Sequence, residues 1–511
     1  MAGLVALGGK QNKLEAVSRS RHTVIGAGGM YRLLLVSLSV LAAFATASAV
    51  AAETKRPPNI VVFLVDDLGA TDLGCFGSTF YETPNVDRLA AGGMKFTAAH
   101  SSCPVCSPTR ASMMTGRYPQ RTGITDYINP RGGNQPEGWT RNTRLLPASY
   151  SDHLPLSEHT IAEALQHAGY KTFFAGKWHL GGNGLSPTEQ GFEINKGGTD
   201  AGSPRSYFSP YQNAKLPDGP AGESLPIRLA DETCKFIADN KTKPFFAYLS
   251  FYSVHIPLQA TKAGIAKYQA KAAKMPEAQE FGREHASRLR LVQRHPTYAW
   301  MVEEMDRAVG KVLDTLDELK LADNTIVIFT SDNGGLATGE GSPTANLGLR
   351  AGKGWMYEGG IRVASVIRWP GVAAAGSECA TPTISMDYFP TMLEAAGELL
   401  KGDQVVDGVS LVPLLRGGSI PERTLYWDYP HYGNQGGLPT SCVREGRWKL
   451  IEWREDGALE LFDLEADPGE HHDLAKVEPA IAKRLHESLV KWRKDIGAKP
   501  PTPNPRYTSS K

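Results

Sequence analysis

The sequence predicts an α/β protein: a large mixed, mostly parallel sheet between helices, followed by a small antiparallel sheet with one helix. Three observations carry this expectation. Apolar strand-like runs are continuous rather than alternating, helical patterns fall between them, and the pattern changes after about residue 418.

Four runs of strand character each end in polar residues able to do chemistry. NIVVFLVDDLGA leads into Asp66 and Asp67, YKTFFAGKWHLGG into Lys177 and His179, PFFAYLSFYSVHIPL towards His255, and TIVIFTSDNGG into Asp332 and Asn333. Between them, SEHTIAEALQHAG puts Ile161, Leu165 and Ala168 on one helical face and stops at Gly169. AWMVEEMDRAVGKVLDTLDELK is a longer amphipathic helix that runs into the Asp332 strand. Open α/β sheets bind ligands beyond the carboxyl ends of their strands, where all four polar tips lie.

After about residue 418, short strands such as RWKLIEW and LELFDL alternate with turn residues, and a closing helix runs from about Pro479 to Lys494. The expected division is an N-terminal extension with a signal peptide (1–52), the main α/β domain (53–418), a small α+β domain (419–497) and a proline-rich disordered tail (498–511).

Composition narrows the function classes. A chain of 511 residues with 41% hydrophobic and 21% charged residues can bury a large core. A formal net charge of +1 gives no basis for a nucleic-acid or anionic-membrane partner, so any bound anion is held by local charges. From Met30 the chain shows Arg32, an apolar run, and small residues at Ala47-Ser48-Ala49 and Val50-Ala51-Ala52, the pattern of a cleaved export signal. Residues 1–29 lack such features, which makes Met30 an alternative start. Export to the periplasm or the medium is expected, with no stable membrane association after cleavage; retention of the run as an anchor is the competing reading. Six cysteines are too few for a disulfide scaffold.

Cys103-Pro-Val-Cys106 admits a redox dithiol or a zinc pair. The zinc reading lacks a second pair at ligand spacing; the redox reading stays open on these residues alone. The residues that follow bear on it. Cys106-Ser-Pro-Thr-Arg110, then Ala-Ser-Met-Met-Thr115-Gly116-Arg117, resembles the signature of type I sulfatases, in which the first residue of C-x-P-x-R is oxidised to formylglycine by a maturation enzyme. PNIVVFLVDDLG, TPNVDRLAAGG, GYKTFFAGKWHLG, HIPL, IVIFTSDNGG, Lys353 between two glycines, SMDYFPTMLEAAG, DGVSLVPLL and the C-terminal RWKLIEW and LELFDLEADPGEHHDLA extend the resemblance over the mature chain.

The resemblance implies an alkaline phosphatase-like fold of the arylsulfatase A and N-acetylgalactosamine-sulfatase branch. It further implies a sulfuric ester hydrolase acting on a sulfated carbohydrate or aryl sulfate. Asp66, Asp67, Asp332 and Asn333 offer only oxygen ligands, which favours a hard cation; ligand number and the resemblance point to Ca²⁺, with Mg²⁺ as the alternative and residue 106 completing the shell. By the resemblance, the hydrated aldehyde at Cys106 attacks sulfur, and its second hydroxyl then drives elimination of sulfate, a release open to no serine.

Arg110, one helical turn beyond Cys106, is implied to fix the diol or the metal shell. Lys177 is assigned to residue 106 and the sulfate, and His179 to the proton transfer of elimination. His255 is implied to hold sulfate and protonate the leaving oxygen, and Lys353 to contact both. On their own, the acidic pairs are also good turns, His255 a structural histidine and Lys353 a loop lysine. Three other functions remain beside this one: a phosphodiesterase or phosphonate monoester hydrolase of the same superfamily, a non-catalytic sulfated-glycan binding protein, and the redox protein, which requires a Cys103–Cys106 disulfide.

Overall fold

The computed structural model describes residues 20–21, 56–399 and 403–509, so the signal-like segment lies outside the described residues. Among those described, no helix is long and apolar enough to cross a membrane.

The strands of the main sheet are β1 (Asn59–Val65), β2 (Met94–Phe96), β3 (Lys171–Gly176), β4 (Ile194–Lys196), β5 (Phe245–Ser250), β6 (Thr325–Ser331), β7 (Ser365–Arg368) and β8 (Ser377–Cys379). Their spatial order is β8-β2-β7-β6-β1-β5-β3-β4. Only β7 runs against the rest, pairing antiparallel with β6 and β2, while the other neighbours pair in parallel. The sheet is therefore mixed and mostly parallel.

The continuous apolar runs are explained by burial on both faces. Along β1, Val61, Phe63 and Val65 enter one core with the helices α3 (Leu225–Asp239) and α4 (Pro296–Glu318). Ile60, Val62 and Leu64 enter a second core with α1 (Cys106–Thr115) and α2 (Ile161–His167). The start of α2 is fixed by a capping box: the Thr160 side chain accepts from the Glu163 backbone N–H and Glu163 reaches back to Thr160. Every residue of α1 is buried, including Arg110.

Strands β9 (Thr424–Tyr429), β10 (Thr440–Glu445), β11 (Trp448–Trp453) and β12 (Leu459–Asp463) form an antiparallel sheet in sequence order. Val443, Leu450 and Leu461 on one face meet Leu485 and Leu489 of α5 (Pro479–Ile496). Trp427, Tyr429 and Cys442 on the other face join a cluster with Cys103, Val105, Trp355 and Tyr357, which seats the small sheet behind the Cys106 helix.

The tail departs from the expected disorder. Thr502–Pro503 pairs antiparallel with Leu145–Leu146, and Asn504 donates its side-chain N–H to the Thr143 carbonyl at 2.8 Å. Proline removes ladder donors but is tolerated on an edge strand, and this two-residue strand uses that allowance.

Candidate active site

Register brings the polar tips together. Val65 lies opposite Ser331, Leu64 opposite Ser250, and Ser250 opposite Gly176, so the residues after β1, β6, β5 and β3 emerge at one sheet edge. Asp67 and His179 follow with φ of 60° and 58°, left-handed conformations that turn each chain sharply at its strand end. The floor of the site is built from backbone as much as side chain: Asp332 N–H donates to Val65 O at 3.1 Å, and Asp67 N–H to Asp332 Oδ1 at 3.2 Å.

Arg110 fastens these ends. Its Nε and Nη2 donate to Asp332 Oδ2 at 2.9 and 2.6 Å, and Nη1 to Lys177 O and Ser250 Oγ at 2.9 and 2.7 Å. Lys177 Nζ donates to Asp66 Oδ2 at 2.5 Å, both fully buried. Lys353 Nζ donates to Asp67 Oδ2 at 2.8 Å, and Asn333 Nδ2 to Asp67 Oδ1 at 2.9 Å. His255 Nε2 stands 3.7 Å from Asp67 Oδ2, while its Nδ1 is 2.8 Å from Ile256 O. His179 Nε2 is 2.8 Å from Ile128 O, and its Nδ1 has no partner.

Burial and charge set the protonation of this cluster. Burial lifts Asp66 well above the usual carboxylate range, with Asp332 and Asp67 adding to it against Lys177 and Arg110. Burial also acts on Asp67, but Lys353, His255 and Lys177 outweigh it and hold its carboxyl down. His179 is driven well below its ordinary value by burial and by Lys177. His255 is pushed down to about 3 by burial and Lys353, against Asp67. Both shifts favour the neutral imidazole, in which one ring N–H donates to the backbone carbonyl and the other nitrogen carries a lone pair.

The residues fit a hard cation. Ligand atoms of Asp66, Cys106 and Asp332 lie within 4.8 Å of one another. Asp66 Oδ1 and Asn333 Oδ1 are buried without a hydrogen-bond partner, although Arg110 Nη2 stands 3.6 Å from the former. Crowded carboxylates with orphaned oxygens are stabilised by a divalent ion that accepts oxygen ligands.

A cavity of about 220 Å³ opens over this cluster, lined by Cys106, His179, His255 and Lys353 with Tyr127, Asn129, Glu340, Asn434 and Gln435. Lys177 and Arg110 lie beneath its wall. Cys106 sits at the first position of α1, with burial and the neighbouring Asp66 and Asp332 raising its thiol against Lys177 and Lys353. Cys103 is buried, raised mainly by burial, and its thiol is free like that of Cys106. A redox dithiol needs a lowered thiol, and burial raises both of these, which gives the redox reading no support.

The sulfatase family model matches residues 58–398, most of the chain, and that of the N-sulphoglucosamine sulphohydrolase C-terminal region matches residues 351–495. The chain belongs to the sulfatase family. It is 33% identical to the N-acetylgalactosamine-6-sulfatase of Canis lupus familiaris, covering 88% of this chain and 80% of that one. It is 32% identical to the steryl-sulfatase of Homo sapiens, covering 74% and 72%. Among solved structures it resembles Ps i-CgsB in complex with k-i-k-neocarrahexaose, at 28% identity and TM-score 0.71 over 86% of this chain and 93% of that one. The phosphonate monoester hydrolase of Agrobacterium radiobacter shares the fold at 20% identity and TM-score 0.61, over 86% and 96%. The protein is thus a sulfuric ester hydrolase with an alkaline phosphatase-like fold, and the phosphonate hydrolase is only a distant neighbour.

All ten predicted site residues of this sulfatase converge on one sheet edge. Sequence reasoning missed Glu340, Asn434 and Gln435 on the cavity wall, and Ser250 beneath it. None carries a motif; Glu340 is marked only by its flanking glycines. Trp427, Arg362, His431 and Tyr432 are not on the wall of this cavity. Trp427 is buried against Ser101 O, Arg362 pairs with Glu358, His431 contacts Thr125, and Tyr432 bonds Glu455.

Proposed function

We propose that this sulfatase hydrolyses a sulfate monoester of a carbohydrate, with Cys106 matured to formylglycine and Ca²⁺ held by Asp66, Asp67, Asp332 and Asn333. The observation that carries the reading is the position of Cys106, on the cavity wall and at the start of a buried helix, with the ligand atoms of Asp66 and Asp332 within 4.8 Å. When bound, the cation supplies Lewis-acid stabilisation of charge on the sulfate oxygens. When formed, the aldehyde supplies a hydrated nucleophile with a second hydroxyl for sulfate release.

The chain's own residues do the rest. Arg110 positions the acidic ends by clamping Asp332 and tying it to β5 through Ser250. Lys353 and His255 line the cavity and bind the anionic ester; Lys177, one layer deeper, holds Asp66 and contributes positive potential. His179 Nδ1 carries the lone pair that accepts a proton during release, its ring oriented by the Ile128 carbonyl. An anionic ester beside His255 offsets the influence of Lys353 and draws onto Nε2 the proton given to the leaving oxygen.

The carbohydrate assignment draws on the relatives named above, the Cys106-Ser-Pro-Thr-Arg110 signature supports maturation by a formylglycine-generating enzyme, and the signal-like segment supports export. Peptide mass spectrometry of the Cys106 segment, from protein made with that enzyme, tests the reading together with 4-nitrophenyl sulfate turnover. Loss of H₂S with gain of one oxygen, plus turnover, is expected. An unmodified Cys106 under competent maturation sinks the mechanism.

A further inference from the structure

A second cavity of about 320 Å³ adjoins the first and shares Glu340, Asn434 and Gln435 with it. Its far side carries Arg141 and Arg288, both exposed. Neither guanidinium has a carboxylate partner among the described residues; each is instead held by aromatic rings. Arg141 stands 5.0 Å from the Trp139 ring and 5.7 Å from that of Tyr432, and donates to Tyr432 O at 3.2 Å. Arg288 lies 3.3 Å over the Phe281 ring. Stacking leaves the in-plane N–H donors of a guanidinium facing outward, the geometry that recognises sulfate or carboxylate.

The wall between the cavities is shaped in advance. Gly339, Glu340, Gly341 and Ser342 all have positive φ (68°, 46°, 91° and 45°), a strained run for the two non-glycine residues. The hairpin Phe281–Arg290 secures it, with Arg290 N–H donating to Ala337 O at 2.9 Å. Glu340 Oε2 is buried without a hydrogen-bond partner. Such an oxygen is stabilised by a hydroxyl donor, which a sugar supplies and an aryl ring does not. The cavity that shares Ile128, Asn129 and Pro130 with the site carries Asp200 and a His153-paired Asp152 beside Arg131, a wall less basic than that of Arg141 and Arg288.

We propose that the Arg141–Arg288 cavity is the subsite for a second sugar unit, so that the substrate is a polyanionic oligosaccharide whose next unit carries a sulfate or carboxylate. This rests on the sulfatase reading above. The subsite takes the anion at Arg141 and Arg288, while Glu340 accepts a hydroxyl between the two units.

Calorimetry on the full chain in Ca²⁺, with Cys106→Ser to prevent consumption of ligand, tests it. Chondroitin-, heparan- and carrageenan-derived anionic disaccharides are compared with their own sulfated monosaccharides. At least one disaccharide binds ~10-fold or more tighter than its monosaccharide, as charge-assisted hydrogen bonds predict. R141Q/R288Q in the same background shrinks that ratio to about twofold. R288Q alone, on the exposed hairpin, reports the same loss if the double variant unfolds. Disaccharides that bind no better than monosaccharides, or a ratio that persists in the variants, overturn the subsite. Failure of matured wild-type protein to turn over 4-nitrophenyl sulfate instead overturns the sulfatase mechanism and leaves the binding comparison readable.

Discussion

Arg110 and Asp332 share a fork in which two guanidinium nitrogens, 2.9 and 2.6 Å away, converge on a single carboxylate oxygen. Both side chains are buried, and the same guanidinium reaches the carbonyl of Lys177. One residue of the Cys106 helix therefore sets the spacing of three strand ends.

Arg110→Lys keeps the charge but loses the fork. 4-Nitrophenyl sulfate kcat/KM is expected to fall ~100-fold or more, as for loss of one preorganised electrostatic contact. Arg110→Ala also leaves Asp332 an uncompensated buried charge and is expected to cost ~3–5 kcal/mol in urea unfolding. A lysine variant within twofold of wild type would show that the fork does not position the site.

Removal of the cation is expected to abolish turnover and lower the melting temperature, because it leaves the crowded Asp66, Asp67 and Asp332 with an orphaned Asp66 oxygen. Ca²⁺ at ~100 times its dissociation constant restores about 2.7 kcal/mol. Scanning calorimetry before and after exhaustive chelation measures this. An unchanged melting temperature and rate would count against a metal at these residues.

Asp126, beneath the cavity loop, gives a pH signature independent of the metal ligands. Burial raises its carboxyl to about 7, against hydrogen bonds from Asn134, Tyr429 and the Tyr127 N–H. His431, 3.8 Å away, is itself pushed down to about 3 by burial and adds no charge near neutrality. The folded state keeps this proton where the unfolded chain has lost it. The contribution is thus fully present below about 4, the unfolded value, and is lost as pH rises through about 7. Between these limits wild type loses up to ~1.4 kcal/mol per pH unit relative to Asp126→Asn. Urea unfolding of both proteins at pH 4.5 and 6.5 reads the difference; parallel pH slopes would refute it.

Lys449 ties the small sheet to the main body, donating to Glu358 Oε1 at 2.9 Å and standing 2.7 Å from Glu470 Oε1, all three buried. Lys449→Met leaves Glu470 without its charged partner and Glu358 with Arg362 alone as a cationic one, and is expected to cost ~3–5 kcal/mol. Aryl sulfate kcat of the folded enzyme stays within twofold, since the cluster does not reach the cavity. A variant as stable as wild type would mean that apolar contacts alone seat the sheet.

The apolar runs ending at Asp66, Lys177 and Asp332 were legible because a strand buried on both faces must be apolar throughout, and the polar residues that end it stand out. Cys106 and Arg110 were legible through the C-x-P-x-R signature that resembles type I sulfatases, which sets them one helical turn apart. Glu340, Asn434 and Gln435 were not, because each is ordinary in its own stretch and acquires meaning only beside the cavity. Lys177 was legible as a site residue, but not its depth: the β3–β5 register buries it against Asp66 rather than on the wall.

The C-terminal tail shows the same division from the other side, since a proline-rich composition predicts disorder and the Leu145–Leu146 edge that receives it lies over 350 residues earlier. By itself, then, the sequence determined the sheet through local periodicity, and the likeness of its short motifs to type I sulfatases implied the sulfate-ester chemistry and the ten candidate site residues. Only the tertiary structure decided which side chains face the cavity, which lie behind them, and where two arginines with no carboxylate partner among the described residues stand beside the site. Those relations arise from strand register and from contacts between loops far apart in the chain, and no local pattern carries them.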